Sequence, residues 1–214
     1  MEEAAAVIYK VDCMGGTAGV FLENAVEQPV LQFLDDTGSY MLCLQNEVKL
    51  YAPDGTEVFC VRLEAQRGVS GYLTPDQLLL LTDSGDVIRL DMSGQKLGEI
   101  GCNIYTSFAS NFALYGPGEI RWSQTTDGDL FLNIYEAGNL IDCDTWQLRS
   151  WIPNCVAYLQ QINQGVTTGE DSETYEMKMG SFSLYSLEEL KNMAQTALNG
   201  YTLTQEQKEQ YGIS

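Results

Sequence analysis

The sequence predicts a mainly β chain, a β-propeller or partial propeller of four-stranded antiparallel blades followed by two short C-terminal helices. Two observations carry that prediction. First, an apolar, alternating run ending in Asp near Gly returns about every 40 residues: Ile8-Tyr9-Lys10-Val11-Asp12, then Val48-Lys49-Leu50-Tyr51 leading to Asp54-Gly55, then Val87-Ile88-Arg89-Leu90-Asp91 leading to Gly94. A looser copy, Leu140-Ile141-Asp142-Cys143-Asp144, follows after a longer gap. Second, each of the last three copies is followed by a polar turn and another strand: Val58 to Leu63, Leu97 to Ile100, and Gln147 to Trp151. A further strand pair precedes each copy, its second member clearest at Tyr40 to Leu44 and Leu78 to Thr82. Four short strands at this period describe a propeller blade.

The elements follow in order. A partial unit over 7–24 supplies the strands Val7 to Val11 and Gly19 to Glu23. The first full unit, 30–63, has strands near Val30 to Leu34, Tyr40 to Leu44, Val48 to Tyr51 and Val58 to Leu63. The second, 69–100, takes its turns from Pro75-Asp76 and Asp83-Ser84-Gly85-Asp86, residues that supply turn geometry and side-chain acceptors. Within it, Leu78 to Thr82 is apolar on both faces, as in a strand buried between neighbouring blades, so Leu79 and Leu80 are both expected to be inaccessible. After an insertion, 101–118, comes the third unit, 119–151. The fourth, 155–185, opens with Cys155 to Ile162 and continues through Gly165 to Thr168 and Thr174 to Met179, with Gly169-Glu170-Asp171-Ser172-Glu173 as a hairpin tip.

The period changes in the tail, 186–214. Ser186-Leu187-Glu188-Glu189 is a capping box, in which the hydroxyl takes the Glu189 amide proton and that carboxylate reaches back. Leu187, Leu190, Met193 or Ala194, Ala197 and Leu198 then share a helical face, and Gly200 stops the helix. Thr204-Gln205-Glu206-Gln207 begins a second short helix ending at Gly212. The apolar stripe is expected to pack on the last blade and cover its open strand edge.

Composition narrows the function classes. A chain of 214 residues with 44% hydrophobic content can bury a real core. A formal charge of −19, from 11 basic and 30 acidic side chains, argues against nucleic acid and against an anionic membrane surface, since phosphate contacts need clustered Lys and Arg. The acidity either serves only to keep the protein dispersed or draws a basic protein segment as partner. No apolar run spans a bilayer and the first residues lack a basic region before an apolar one, so the expected location is cytoplasmic. The six cysteines stand singly without CxxC, and there is no histidine to help hold zinc. They read as reduced thiols, with Cys43 and Cys60 as small core hydrophobes inside strands.

Little in the sequence suggests catalysis. Glycine-rich phosphate loops and the GxSxG motif are absent, and a histidine-dependent nucleophile cannot be built. The carboxylate pairs Asp35-Asp36, Asp127 with Asp129, and Glu188-Glu189 suit turns or a helix start. Asp83, Ser84 and Asp86 lack the further carboxylate spacing of a calcium loop. Neither a cofactor nor a metal is expected.

The segments Tyr185-Ser186-Leu187-Glu188-Glu189-Leu190, Gly200-Tyr201-Thr202-Leu203-Thr204 and Glu206-Gln207-Lys208-Glu209-Gln210-Tyr211-Gly212-Ile213 resemble the tail that closes WD40-like propellers in bacterial multidomain signalling proteins. The Gly-His pair and the Trp-Asp dipeptide of that family are missing, and Asp91 and Asp144 stand near the place of its aspartate. The resemblance implies a scaffold or sensor. The repeat count fits either a small ring in which the N-terminal strands complete the last blade, or part of a longer propeller with further blades or an effector domain N-terminal to this chain.

The expected function is therefore a non-catalytic module for protein or ligand recognition. The alternative is a propeller enzyme, a hydrolase or lyase using carboxylates at the channel mouth. Aromatics recur on the opening strands at Phe33, Tyr72, Trp122 and Tyr158, where they either gather at one mouth of the channel to grip a peptide or pack between blades.

Overall fold

The computed structural model describes residues 6–12, 17–25, 29–104, 119–170, 176–185 and 187–198. Strands β1 (Ala6–Asp12) and β2 (Thr17–Ala25) form an antiparallel hairpin. Three four-stranded antiparallel sheets follow. The first holds β3 (Val30–Phe33), β4 (Tyr40–Leu44), β5 (Glu47–Tyr51) and β6 (Glu57–Arg62). The second holds β7 (Gly68–Leu73), β8 (Gln77–Thr82), β9 (Asp86–Asp91) and β10 (Lys96–Gly101). The third holds β11 (Ile120–Gln124), β12 (Leu130–Ile134), β13 (Ala137–Asp142) and β14 (Gln147–Pro153). A three-stranded sheet of β15 (Cys155–Leu159), β16 (Gln164–Glu170) and β17 (Met177–Ser183) comes next, then helix α1 (Leu187–Leu198). In every sheet each strand pairs with its sequence neighbour, so each is a meander.

Aspartate side chains set many of the turns. Asp35 Oδ1 accepts from the backbone N–H groups of Thr37, Gly38 and Ser39 and from the Thr37 hydroxyl. Those donors hold its pKa down at about 2. Asp91, at the end of β9, accepts from the Ser93 and Gln95 amides and the Ser93 hydroxyl, with its pKa lowered chiefly by that hydroxyl. Asp54 takes the Thr56 amide in the turn after β5. In the third sheet the same task falls to Asp142, which accepts from the amides of Asp144 and Thr145. Asp144, two residues on, donates its backbone N–H to that carboxylate. The recurring acid of the sequence repeat is thus a turn device, an acceptor for amides that the chain reversal leaves without partners.

The core runs through the middle strands. All six residues of β8 and all five of β12 are buried, and Leu79 and Leu80 are both 0% exposed, as their two-faced apolar run predicts. Each such leucine contributes roughly 1.5–3 kcal/mol of gross burial energy. The fourth strands, β6, β10 and β14, are mostly exposed. One apolar cluster joins the three four-stranded sheets, and a smaller one around Phe131, Leu140 and Cys155 joins the third to the three-stranded sheet.

Polar side chains tie sheet to sheet. Asn139, fully buried on β13, accepts from the Asn103 backbone N–H at 2.8 Å and donates to the Asn103 carbonyl at 3.1 Å, fastening the chain after β10 onto the third sheet. Asn133 Nδ2 donates to the Cys155 carbonyl at 2.6 Å across the next junction.

Several expectations need correction. Cys60 is exposed, because it falls on the solvent side of the outer strand β6, whereas Cys43 is fully buried and its thiol is pushed up to about 12 by that burial. The last strand of the fourth unit is Met177–Ser183, displaced from the expected Thr174 to Met179. Leu190 and Met193 on α1 are 47% and 50% exposed, so the middle of its apolar stripe is open to solvent and not packed on a blade. The capping residue Ser186, the second helix from Thr204, Cys13, the hairpin tip Asp171 to Glu173 and most of the 101–118 insertion lie outside the described residues.

Candidate functional site

The opening strands of the three sheets lie side by side. The Gln32 side chain on β3 pairs with the Gly71 backbone on β7, donating from Nε2 to the carbonyl at 3.0 Å and accepting the N–H on Oε1 at 2.9 Å. Glycine permits that approach: a Cβ at Gly71 would stand 3.0 Å from Met41 Sδ and 3.1 Å from Leu34 Cδ2. Ser70 Oγ bonds to Gln32 Oε1 at 3.2 Å, and the Trp122 indole Nε1–H on β11 donates to Ser70 Oγ at 3.0 Å. Three opening strands are therefore joined by one chain of side-chain hydrogen bonds, which orders their register.

The four expected aromatics are only partly gathered. Tyr72 and Trp122 stack, with ring centroids 5.8 Å apart at 27°. Phe33 is 69% exposed and lies edge-on to Tyr40 at 6.1 Å. Tyr158 stacks on Phe131 at 4.9 Å, and its hydroxyl donates to Asn163 Oδ1 at 2.8 Å. Each ring beyond the Tyr72–Trp122 pair therefore serves its own sheet or the junction beside it.

Beside Tyr72 a cleft of about 490 Å³ opens between the second and third sheets. This is within the roughly 300–1,000 Å³ span of ligand pockets. Arg89 on β9 lines it. Arg89 Nε donates to Gln77 Oε1 at 3.0 Å, and its guanidinium carbon stands 4.1 Å from the centre of the Trp146 ring. Such a cation–π contact is worth about 0.5–2 kcal/mol, more as water is excluded. Desolvation lowers the Arg89 pKa, with Asp76 at the cleft wall acting in the opposite sense. Trp146 reaches this place because the β13–β14 turn closes with its N–H on the Asp142 carbonyl at 2.8 Å, leaving Trp146 in a left-handed conformation, φ 55°.

The repeat makes Arg89 conspicuous. Leu50 faces Met41 in the first sheet, Arg89 faces Leu79 in the second, and Leu140 faces Phe131 in the third, each two residues before the start of the following turn. Leu50 and Leu140 are buried core residues. A charge at the place its sister units give to leucine was the sequence signal for this cleft. The partner it stacks on, Trp146, comes from the next sheet and could not be read from the periodicity.

A second cleft of about 510 Å³, between the first and second sheets, contains Arg62 and Lys96. Both cations there are already matched, Arg62 to Glu47 at 3.8 Å and Lys96 to Glu99. Among the described residues Arg89 makes no such ion pair. One member of each of two carboxylate pairs is engaged structurally: Asp35 caps its turn, while Asp129 accepts from the Cys143 amide at 3.2 Å and from Arg149 at 2.8 Å. No group of three or more His, Cys, Asp or Glu side chains among the described residues could hold a metal.

Comparison with solved structures places this architecture. The chain is similar to one in the crystal structure of the mitotic checkpoint complex, with TM-score 0.50 and 13% identity over 81% of this chain and 51% of that one. With four sheets of meandering strands stacked through their faces, that likeness decides the fold. The chain has a propeller-like β fold. Similar too are BamB from Moraxella catarrhalis (TM-score 0.49, 13% identity, 79% of this chain and 58% of that one) and Sqt1 of Saccharomyces cerevisiae (0.48, 12%, 84% and 58%). The propeller chain thus spans a little over half the length of these structures. No protein-family model matches it, and no curated protein matches its sequence.

Proposed function

We propose that this propeller chain is a non-catalytic recognition module for a protein or peptide, a scaffold or sensor part of a larger bacterial, cytoplasmic protein. The observation that carries the reading is the cleft between the second and third sheets, where Arg89 is held between Gln77 and Trp146 at a position the first and third units fill with leucine. Rigid strands present an aromatic and a cation at its walls, the pairing that recurs at the energetic centres of recognition surfaces. The charge of −19 draws a basic partner toward the molecule as a whole. The resemblance of the tail to those of multidomain signalling proteins supports further blades or an effector domain N-terminal to the chain.

Site-specific photo-crosslinking tests this. Leu97 is 50% exposed and lies at the rim of the cleft, whereas Met179, 77% exposed, lies on β17. A photoreactive residue at 97 in the full chain is expected to give a defined protein adduct in cells that is lost on Trp146→Ala. Absence of an adduct, or an identical one from position 179 that Trp146→Ala leaves unchanged, contradicts the reading.

A further inference from the structure

We propose that the cleft between the second and third sheets binds the side-chain carboxylate of one acidic residue in an otherwise basic or neutral peptide, and that Arg89 is the group that reads it. The inference rests on the recognition reading above and names the chemistry of its ligand.

The guanidinium is fixed before any ligand arrives. Its Nε is committed to Gln77 and one of its faces lies on Trp146. Its two terminal nitrogens donate to no described group, neither is sealed from solvent, and Arg89 lines the cleft. An oriented guanidinium edge with two free N–H groups matches the two oxygens of a carboxylate. Several other cations on these sheets are matched internally, Lys49 and Arg62 on Glu47, Lys96 on Glu99 and Arg149 on Asp129, while Arg121 stands exposed on β11 and does not line this cleft.

The surroundings narrow the anion. Asp76 lines the same cleft, its Oδ1 accepting from Thr74 Oγ1 at 2.9 Å. A dianionic phosphate would meet that carboxylate with a single arginine to offset it, whereas one carboxylate leaves the charges balanced more evenly. The walls at Tyr72, Trp146 and Leu97 offer apolar surface to the residues flanking the acid. The molecule's overall charge repels an acidic segment, so the ligand is an isolated acid within a basic or neutral stretch.

The test uses two fluorescent, end-blocked peptides with lysines at both ends and Leu-Tyr-Glu-Leu or Leu-Tyr-Gln-Leu at the centre. Anisotropy titration of the full chain is expected to show the Glu peptide binding about tenfold tighter than the Gln peptide, the scale of one charge-assisted hydrogen-bonded pair. Arg89→Met is expected to bring the two affinities together. Equal affinity of the wild-type chain for both peptides, or binding of neither, overturns the proposal, and that comparison needs no variant to fold. The position-97 crosslink separates the two readings. A cleft-dependent adduct with equal Glu and Gln affinities sinks only the carboxylate; loss of the adduct sinks the recognition reading itself.

Discussion

Leu80→Asp is expected to abolish cooperative folding. Leu80 lies in the middle of β8, 0% exposed, with Leu78, Leu79 and Leu81 equally buried around it. It packs within the apolar cluster shared by all three four-stranded sheets, so a carboxylate there is cut off from water. The substitution forfeits roughly 1.5–3 kcal/mol of burial and adds several kcal/mol for a buried polar group without partners. Against a net stability of about 5–15 kcal/mol, the sum empties the native state or leaves it marginal. Leu80→Met, which keeps the volume, should cost less than about 1.5 kcal/mol. Circular dichroism melts of the pair check this. A soluble Leu80→Asp protein melting cooperatively near the wild type would remove β8 from the core.

The second large effect is expected from Asn139→Leu. Leucine is close to asparagine in size and apolar, so the change does not open a cavity. It strips both partners from the Asn103 backbone, the N–H at 2.8 Å and the carbonyl at 3.1 Å. Each orphaned group costs about 1–3 kcal/mol where water cannot replace the partner, giving a loss of about 2–5 kcal/mol in a denaturant titration. A change below about 0.5 kcal/mol would show that Asn103 finds water instead, and that the segment after β10 is not fastened through Asn139.

The parts of the fold that the sequence announced are those governed by short-range physics. Alternation and period announced four-stranded antiparallel units with strands such as Tyr40 to Leu44 and Leu78 to Thr82, because each strand pairs with its neighbour and the turns between them carry their own chemistry in Asp and Gly. The two-faced run at Leu78 to Leu81 declared its own burial. What escaped depends on contacts between units. Cys60 looks like a core thiol until β6 is known to be an outer strand. The stripe on α1 has the spacing of a packed helix, yet Leu190 and Met193 remain about half exposed, since periodicity states that a face is apolar and not what covers it. At the site, Tyr72 and Trp122 were legible as matching aromatics, but their stacking on each other was not, and Trp146 was invisible because its place over Arg89 comes from a turn in the following sheet.

The central claim is that the second and third units are adjacent blades whose opening strands lie side by side, since the cleft exists only at that junction. Nuclear Overhauser spectroscopy of the full chain tests it most directly. Cross-peaks between the ring protons of Tyr72 and Trp122 are predicted from their 5.8 Å centroid separation, together with a slowly exchanging Trp122 indole N–H held on Ser70 Oγ. A Trp122 indole proton that exchanges at the rate of a solvated one, with no cross-peak to Tyr72, would contradict it.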